Sequence, residues 1–104
     1  MNEILALCLS ISVLGMSEVK NKKACSYLPE IVKSSKQQKI EPELLISLIF
    51  VESSFDRRAV SYAGACGLTQ VMPKYTGGTA LRKKLTCKQL KNPRTSIRSG
   101  AKIL

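Results

Sequence analysis

Glu52 is the acidic residue whose neighbours best equip it to move a proton. It closes the run Leu44, Leu45, Ile46, Leu48, Ile49, Phe50 and Val51, and on a helix the residues three, four and seven earlier (Ile49, Leu48, Leu45) share its face. A carboxyl on such a face is expected to see little water. Burial disfavours the ionised form and raises the pKa from its ordinary value of about 4.3, which makes a Glu a proton donor near neutral pH. The plainer alternative is a carboxylate that reaches solvent at a helix end and pairs with Arg57 or Arg58. The chain has no histidine and no cysteine pair at metal-site spacing, so imidazole triads and zinc sites lack their ligands. No cofactor and no metal are expected.

The element that must position Glu52 is a helix from Pro42 to about Ser53. Pro42 suits the first turn, and Glu41 and Glu43 place negative charge at the positive end of the helix dipole. Its body has almost no polar face, which predicts packing on most sides. A preceding helix opens at Tyr27-Leu28-Pro29 and runs to about Gln38. After Glu52, residues 53–67 are small and polar without a held period, and read as a loop or short irregular strands. A brief helix is expected over Leu68 to Met72, stopped by Pro73. A polar stretch with Gly77-Gly78 then separates it from a last helix beginning near Pro93. No internal repeat or low-complexity tract interrupts this order.

At 104 residues the chain is at most one domain. Ile4 to Met16 is an apolar run of a length that suits the core of a secretory leader, with small residues for cleavage near Ser17. Residues 1–17 are therefore expected to be a signal peptide and 18–104 the folded domain, exported to the periplasm or secreted; a buried or membrane-lying N-terminal helix is the alternative. All 17 Lys and Arg follow Ser17, with six of the seven acids, which leaves +11 beyond the leader. Such charge attracts polyanions of any kind. Only five aromatics accompany it, fewer than base-stacking platforms use, so nucleic acid is not an expected partner. Removing Cys8 with the leader leaves Cys25, Cys66 and Cys87. Cys66 with Cys87 is the expected disulfide, clamping the Gly/Thr-rich segment between them, and Cys25 is left without a partner.

From Glu52-Ser53-Ser54-Phe55 the chain continues through Ser61 and Gly64-Ala65-Cys66-Gly67-Leu68-Thr69-Gln70-Val71-Met72-Pro73. This resembles the lytic transglycosylases of the soluble, goose-lysozyme-like type. The later Asn92-Pro93 with Ile97 and Gly100 is similar to the helix that follows in that family, and the resemblance covers roughly residues 40–104. It implies a mainly α, lysozyme-like fold of the α+β kind, with irregular loop or short strands at the cleft. It also implies a peptidoglycan substrate and one catalytic acid/base, Glu52, with Ser53 as part of its signature. Ser61 falls where the family places a hydroxyl near that carboxyl, Gln70 on a sugar-contacting amide, and Met72 on an apolar cleft wall. Each has a plainer alternative: a turn residue, a surface amide and a core filler.

In the implied reaction, Glu52 protonates the glycosidic oxygen between N-acetylmuramic acid and N-acetylglucosamine, then accepts the proton of the muramyl C6 hydroxyl as that oxygen attacks C1. The product is a 1,6-anhydro sugar, so no second carboxylate is required to activate water. If Asp56 did activate water, the enzyme would be a lysozyme-type hydrolase. A non-catalytic, cationic wall- or membrane-binding protein is a further alternative, with peripheral contact to anionic wall or membrane. The resemblance admits a setting in a secretion, conjugation, pilus or phage machine. Two positions depart from the family pattern: Thr69 stands for a Met, and Ser96 for an Asn. Family members also continue into a segment with an Ala-Tyr-Asn-type motif, so truncation with a half-built cleft is expected.

Overall fold

The computed structural model describes residues 2–78 and 80–104. Six α-helices carry the chain: α1 (Glu3–Ser12), α2 (Glu18–Ser26), α3 (Leu28–Gln38), α4 (Pro42–Ser53), α5 (Cys87–Leu90) and α6 (Pro93–Ile103), with one 3-10 turn at Pro73–Tyr75. Among the described residues there is no regular strand, only isolated antiparallel bridges joining Val60 to Cys66 and Cys66 to Val71. The fold is mainly α, as the sequence implies. One correction concerns Leu68 to Met72, which is not a helix: Gly67 and Gln70 take positive φ angles of 84° and 54°, and the segment turns back so that Cys66 and Val71 exchange main-chain hydrogen bonds. The apolar residues there fold inward through a turn, and helical periodicity over so few residues could not tell the two apart.

Local signals account for most helix ends. Asn2, Ser17, Thr86 and Asn92 each accept a main-chain N–H of the helix they begin, and Pro42 and Pro93 open α4 and α6. Lys39 and Ser54 end α3 and α4 in the left-handed region. Leu28, Ile31, Leu45, Ile49, Phe55, Leu68 and Ile97 form the centre of the core, which holds α3, α4 and α6 together. At one edge, Glu30 on α3 accepts from the Ser34 hydroxyl at 2.8 Å and faces Arg94 and Arg98 on α6 at 3.3 and 3.7 Å. The α4 helix is packed less completely than its composition suggests. Leu45, Ile46 and Ile49 are buried, whereas Leu44 and Val51 are 49% and 77% exposed.

The N-terminal segment is part of this core. Leu7 and Ile11 on α1 are buried in it, and Cys8 is joined to Cys25 on α2. The odd cysteine expected from the sequence is thus corrected: no free cysteine remains among the described residues, because Cys25 takes Cys8 and Cys66 takes Cys87. Cys25 has no partner only when Cys8 is counted with the leader; with α1 in place, Cys8 reaches it. With both bridges formed, iodoacetamide in denaturant is expected to label no thiol before reduction and all four afterwards. One labelled thiol in a chain that has lost α1 would place Cys8 outside the mature fold.

Candidate active site

Glu52 sits in the last turn of α4, and the turn that follows decides what it faces. Ser54 and Phe55 both take left-handed φ angles, 53° and 62°. For residues with a Cβ this conformation is uncommon, and here it is held by burial of the Phe55 ring in the core. The chain therefore reverses at the end of α4, and Glu52 stays on one side while Asp56 and Arg57 leave on another. The Ser53 hydroxyl joins the helix end to the next segment: its oxygen lies 2.7 Å from the Leu68 carbonyl and 3.1 Å from the Ile49 carbonyl. This gives Ser53 a positioning role that the sequence left undefined.

A cleft of about 320 Å³ opens there, with Leu48, Glu52, Gln70, Met72, Tyr75 and Ile103 among its walls. Of the residues named from the sequence, Glu52, Gln70 and Met72 are brought together in it. Ser61 is not among the lining residues. It is exposed and organises the adjacent turn, where its hydroxyl accepts the Ala65 N–H at 3.0 Å. Glu52 is also exposed. The expectation of a carboxyl shielded by its helix face is therefore corrected: Leu45 and Ile49 point into the core, and Glu52, one turn on, reaches the mouth of the cleft. It does not pair with Arg57 or Arg58; the ion pairs among the described residues involve other side chains.

Gln70 is fixed from both ends. Its backbone is held left-handed inside the bridged turn, and its Nε2 donates to the Ala59 and Gly67 carbonyls at 3.0 and 2.9 Å. Two carbonyl acceptors demand the amide's NH2 group, so the free end of the side chain is Oε1, an acceptor for a hydroxyl or an amide N–H. Met72 and Leu48 add apolar surface. Tyr75, 68% exposed in the 3-10 turn, is the wall residue that the sequence did not single out. Lys74 lies 5.2 Å from its ring centroid. Its signal was available, as one of only three tyrosines, just beyond Met72-Pro73.

The two positions that depart from the family pattern meet directly beneath the cleft. Thr69 N–H donates to Ser96 Oγ at 3.1 Å, Thr69 Oγ1 donates to the Ser96 carbonyl at 2.8 Å, and the two hydroxyl oxygens are 2.9 Å apart. Both residues are buried. The donors balance if Ser96 gives its proton to Thr69 Oγ1. Glycines make the approach possible: a Cβ at Gly100 would lie 2.5 Å from Thr69 Cβ, and one at Gly67 would lie 2.0 Å from the Leu90 carbonyl oxygen. Thr69 and Ser96 therefore form one hydrogen-bonded group that locks the Gln70 turn to α6.

The fold and site define a class. A model of the transglycosylase SLT domain matches residues 30–104, and the chain belongs to that family. Similar proteins include the membrane-bound lytic murein transglycosylase C of Actinobacillus pleuropneumoniae serotype 5b, 40% identical over 97 residues, covering 88% of this chain and 26% of the relative. The protein of the same name from Actinobacillus succinogenes is 36% identical over 74 residues, 71% of this chain and 21% of the relative. The Haemophilus ducreyi protein is 47% identical over 55 residues, 53% and 15%. The chain thus spans about a quarter of the length of the first of these.

The coupling of Thr69 with Ser96 is testable by a double-mutant cycle. Ser96→Ala orphans the buried Thr69 N–H and Thr69→Val removes the hydroxyl, and each is expected to cost about 1–3 kcal/mol in denaturant unfolding. The double variant should cost less than the two together, by at least about 0.5 kcal/mol. Strict additivity would contradict the coupling.

Proposed function

We propose that this chain is a peptidoglycan lytic transglycosylase that cleaves the β-1,4 bond between N-acetylmuramic acid and N-acetylglucosamine, with Glu52 as its single acid/base. The observation that carries this is the convergence of Glu52, Gln70 and Met72 on one cleft; family membership and the names of the relatives agree with it. In this mechanism a protonated Glu52 donates to the glycosidic oxygen as the C1–O bond breaks. The resulting carboxylate takes the C6 hydroxyl proton as O6 bonds to C1, which regenerates the acid. Gln70 Oε1 accepts a hydrogen bond from the sugar, and the Tyr75 ring supplies a flat apolar face for a pyranose. Glu52 gains its shielding from water when the glycan fills the cleft.

Asp56 weighs against the hydrolase alternative. Its Oδ1 accepts the Arg58 N–H at 2.9 Å, and it lines a different cavity from Glu52. Asp56 is therefore not presented to the substrate that Glu52 meets. Export to the wall compartment belongs to this proposal, and the Cys66–Cys87 disulfide, which lies wholly beyond the apolar N-terminal run, suits an oxidising environment. Among the described residues, no helix is long and apolar enough to cross a membrane.

Digestion of purified sacculi followed by mass analysis of the released sugars tests the proposal. The chain is expected to release 1,6-anhydro-muramyl products, and Glu52→Gln is expected to lose at least about 100-fold in rate, the usual span of general acid–base catalysis, with its unfolding curve retained. Hydrated reducing ends would identify a hydrolase, and undiminished cleavage by Glu52→Gln would remove Glu52 from the chemistry. Tyr75→Ala is expected to raise KM several-fold with little change in kcat.

A further inference from the structure

One cavity of the described fold is larger than the cleft. About 480 Å³ in volume, it lies where the loop after α4 meets α2, and it shares no lining residue with the Glu52 site. Lys20 and Lys23 come from α2, and Arg57 and Arg58 from the loop. Asp56 is the one carboxylate among them, and it is already engaged with the Arg58 N–H. Among the described residues none of the four cations forms an ion pair. Burial pushes the Tyr27 phenol above its ordinary range; of the two charges that act on it, Arg57 pulls it down and Asp56 raises it, the Arg57 effect being the larger. Four cations collected from two separate elements, against the single carboxylate of Asp56, leave a concave surface on which positive charge predominates.

One further residue indicates what would fill it. Val19, on the cavity wall beside Lys20, is 81% exposed. An aliphatic side chain standing out among cations gains nothing from water, but it gains when the cations meet phosphates and the valine enters the apolar layer beneath them. We propose that this cavity is a docking site for phosphate headgroups, by which the domain lies on an anionic phospholipid surface through Lys20, Lys23, Arg57, Arg58 and Val19. All its lining residues lie between Ser17 and Arg58, so α1 supplies none of them. The left-handed pair Ser54-Phe55 separates it from the cleft, leaving Glu52 free to engage glycan while the domain is bound. The proposal goes beyond the enzymatic one and stands or falls separately from it.

Co-sedimentation of the full chain with vesicles tests this. Binding is expected to vesicles containing phosphatidylglycerol, and not to pure phosphatidylcholine. Lys20→Gln with Arg57→Gln should weaken binding about 25-fold, from a factor of about five per cation. The equally charge-reduced pair Lys83→Gln with Lys84→Gln, on an exposed stretch outside the cavity, should weaken it no more than about twofold. Val19→Ser should weaken it several-fold with the charge unchanged. Equal losses for the two double variants would show attraction to net charge alone and overturn the site. Displacement by millimolar inorganic phosphate, where chloride of equal ionic strength has no effect, would show a free-anion pocket and overturn the lipid assignment. Digestion of soluble wall fragments, run on the same variants, is expected to be unchanged, so failure to bind vesicles and failure to cleave glycan are read separately.

Discussion

Everything at the cleft hangs on a short join between the end of α4 and the turn that faces it, made by Ser53 to the Leu68 carbonyl and continued by Thr69 to Ser96. Leu68 is fully buried between these contacts. Pinned on both sides, the turn places Gln70 on the wall of the same cleft as Glu52. Hydrogen bonds made in a region shut from water are costly to leave unmade, and that cost enforces the geometry. Gly67 and Gly100 serve the same join by omission, since a methyl at either would meet backbone or side-chain atoms well inside contact distance.

The helices that position the site were legible because their signals are local. Pro42 with Glu43 marked the start of α4, its apolar run set its length, and Asn92-Pro93 opened α6. Glu52, Gln70 and Met72 were legible through the spacing of a motif. What was not legible depended on contacts distant in sequence. A helix over Leu68 to Met72 fits the local residues, yet Cys66 and Val71 pair across a turn instead. Thr69 and Ser96, read separately, are two unrelated exchanges; 27 residues apart, they complete one hydrogen-bond group. Cys8 looked expendable because the apolar run around it resembles a leader, and only the packing of Leu7 and Ile11 shows what that helix faces here. Exposure of Glu52 was missed for a related reason: three apolar neighbours on its helix face describe the core side of α4, not the mouth at its end.

The same reversal at Ser54-Phe55 gives the domain two faces of different character. One is an apolar-walled cleft with a single carboxyl, and the other a cationic hollow with a bare valine. Keeping the acid away from four cations matters chemically, because a guanidinium or ammonium beside Glu52 would stabilise its ionised form and weaken it as a proton donor.

In the proposed reaction, glycan occupies the cleft at the end of α4. Nitrogen-resolved NMR of Glu52→Gln, titrated with a soluble muramyl oligosaccharide that it cannot turn over, tests this most directly. Shifts are expected at the side-chain amide of Gln70 and the backbone amides of Met72 and Tyr75, with Lys20, Arg57 and Arg58 unmoved. Shifts confined to the Lys20 and Arg57 side, or none at Gln70, would contradict it.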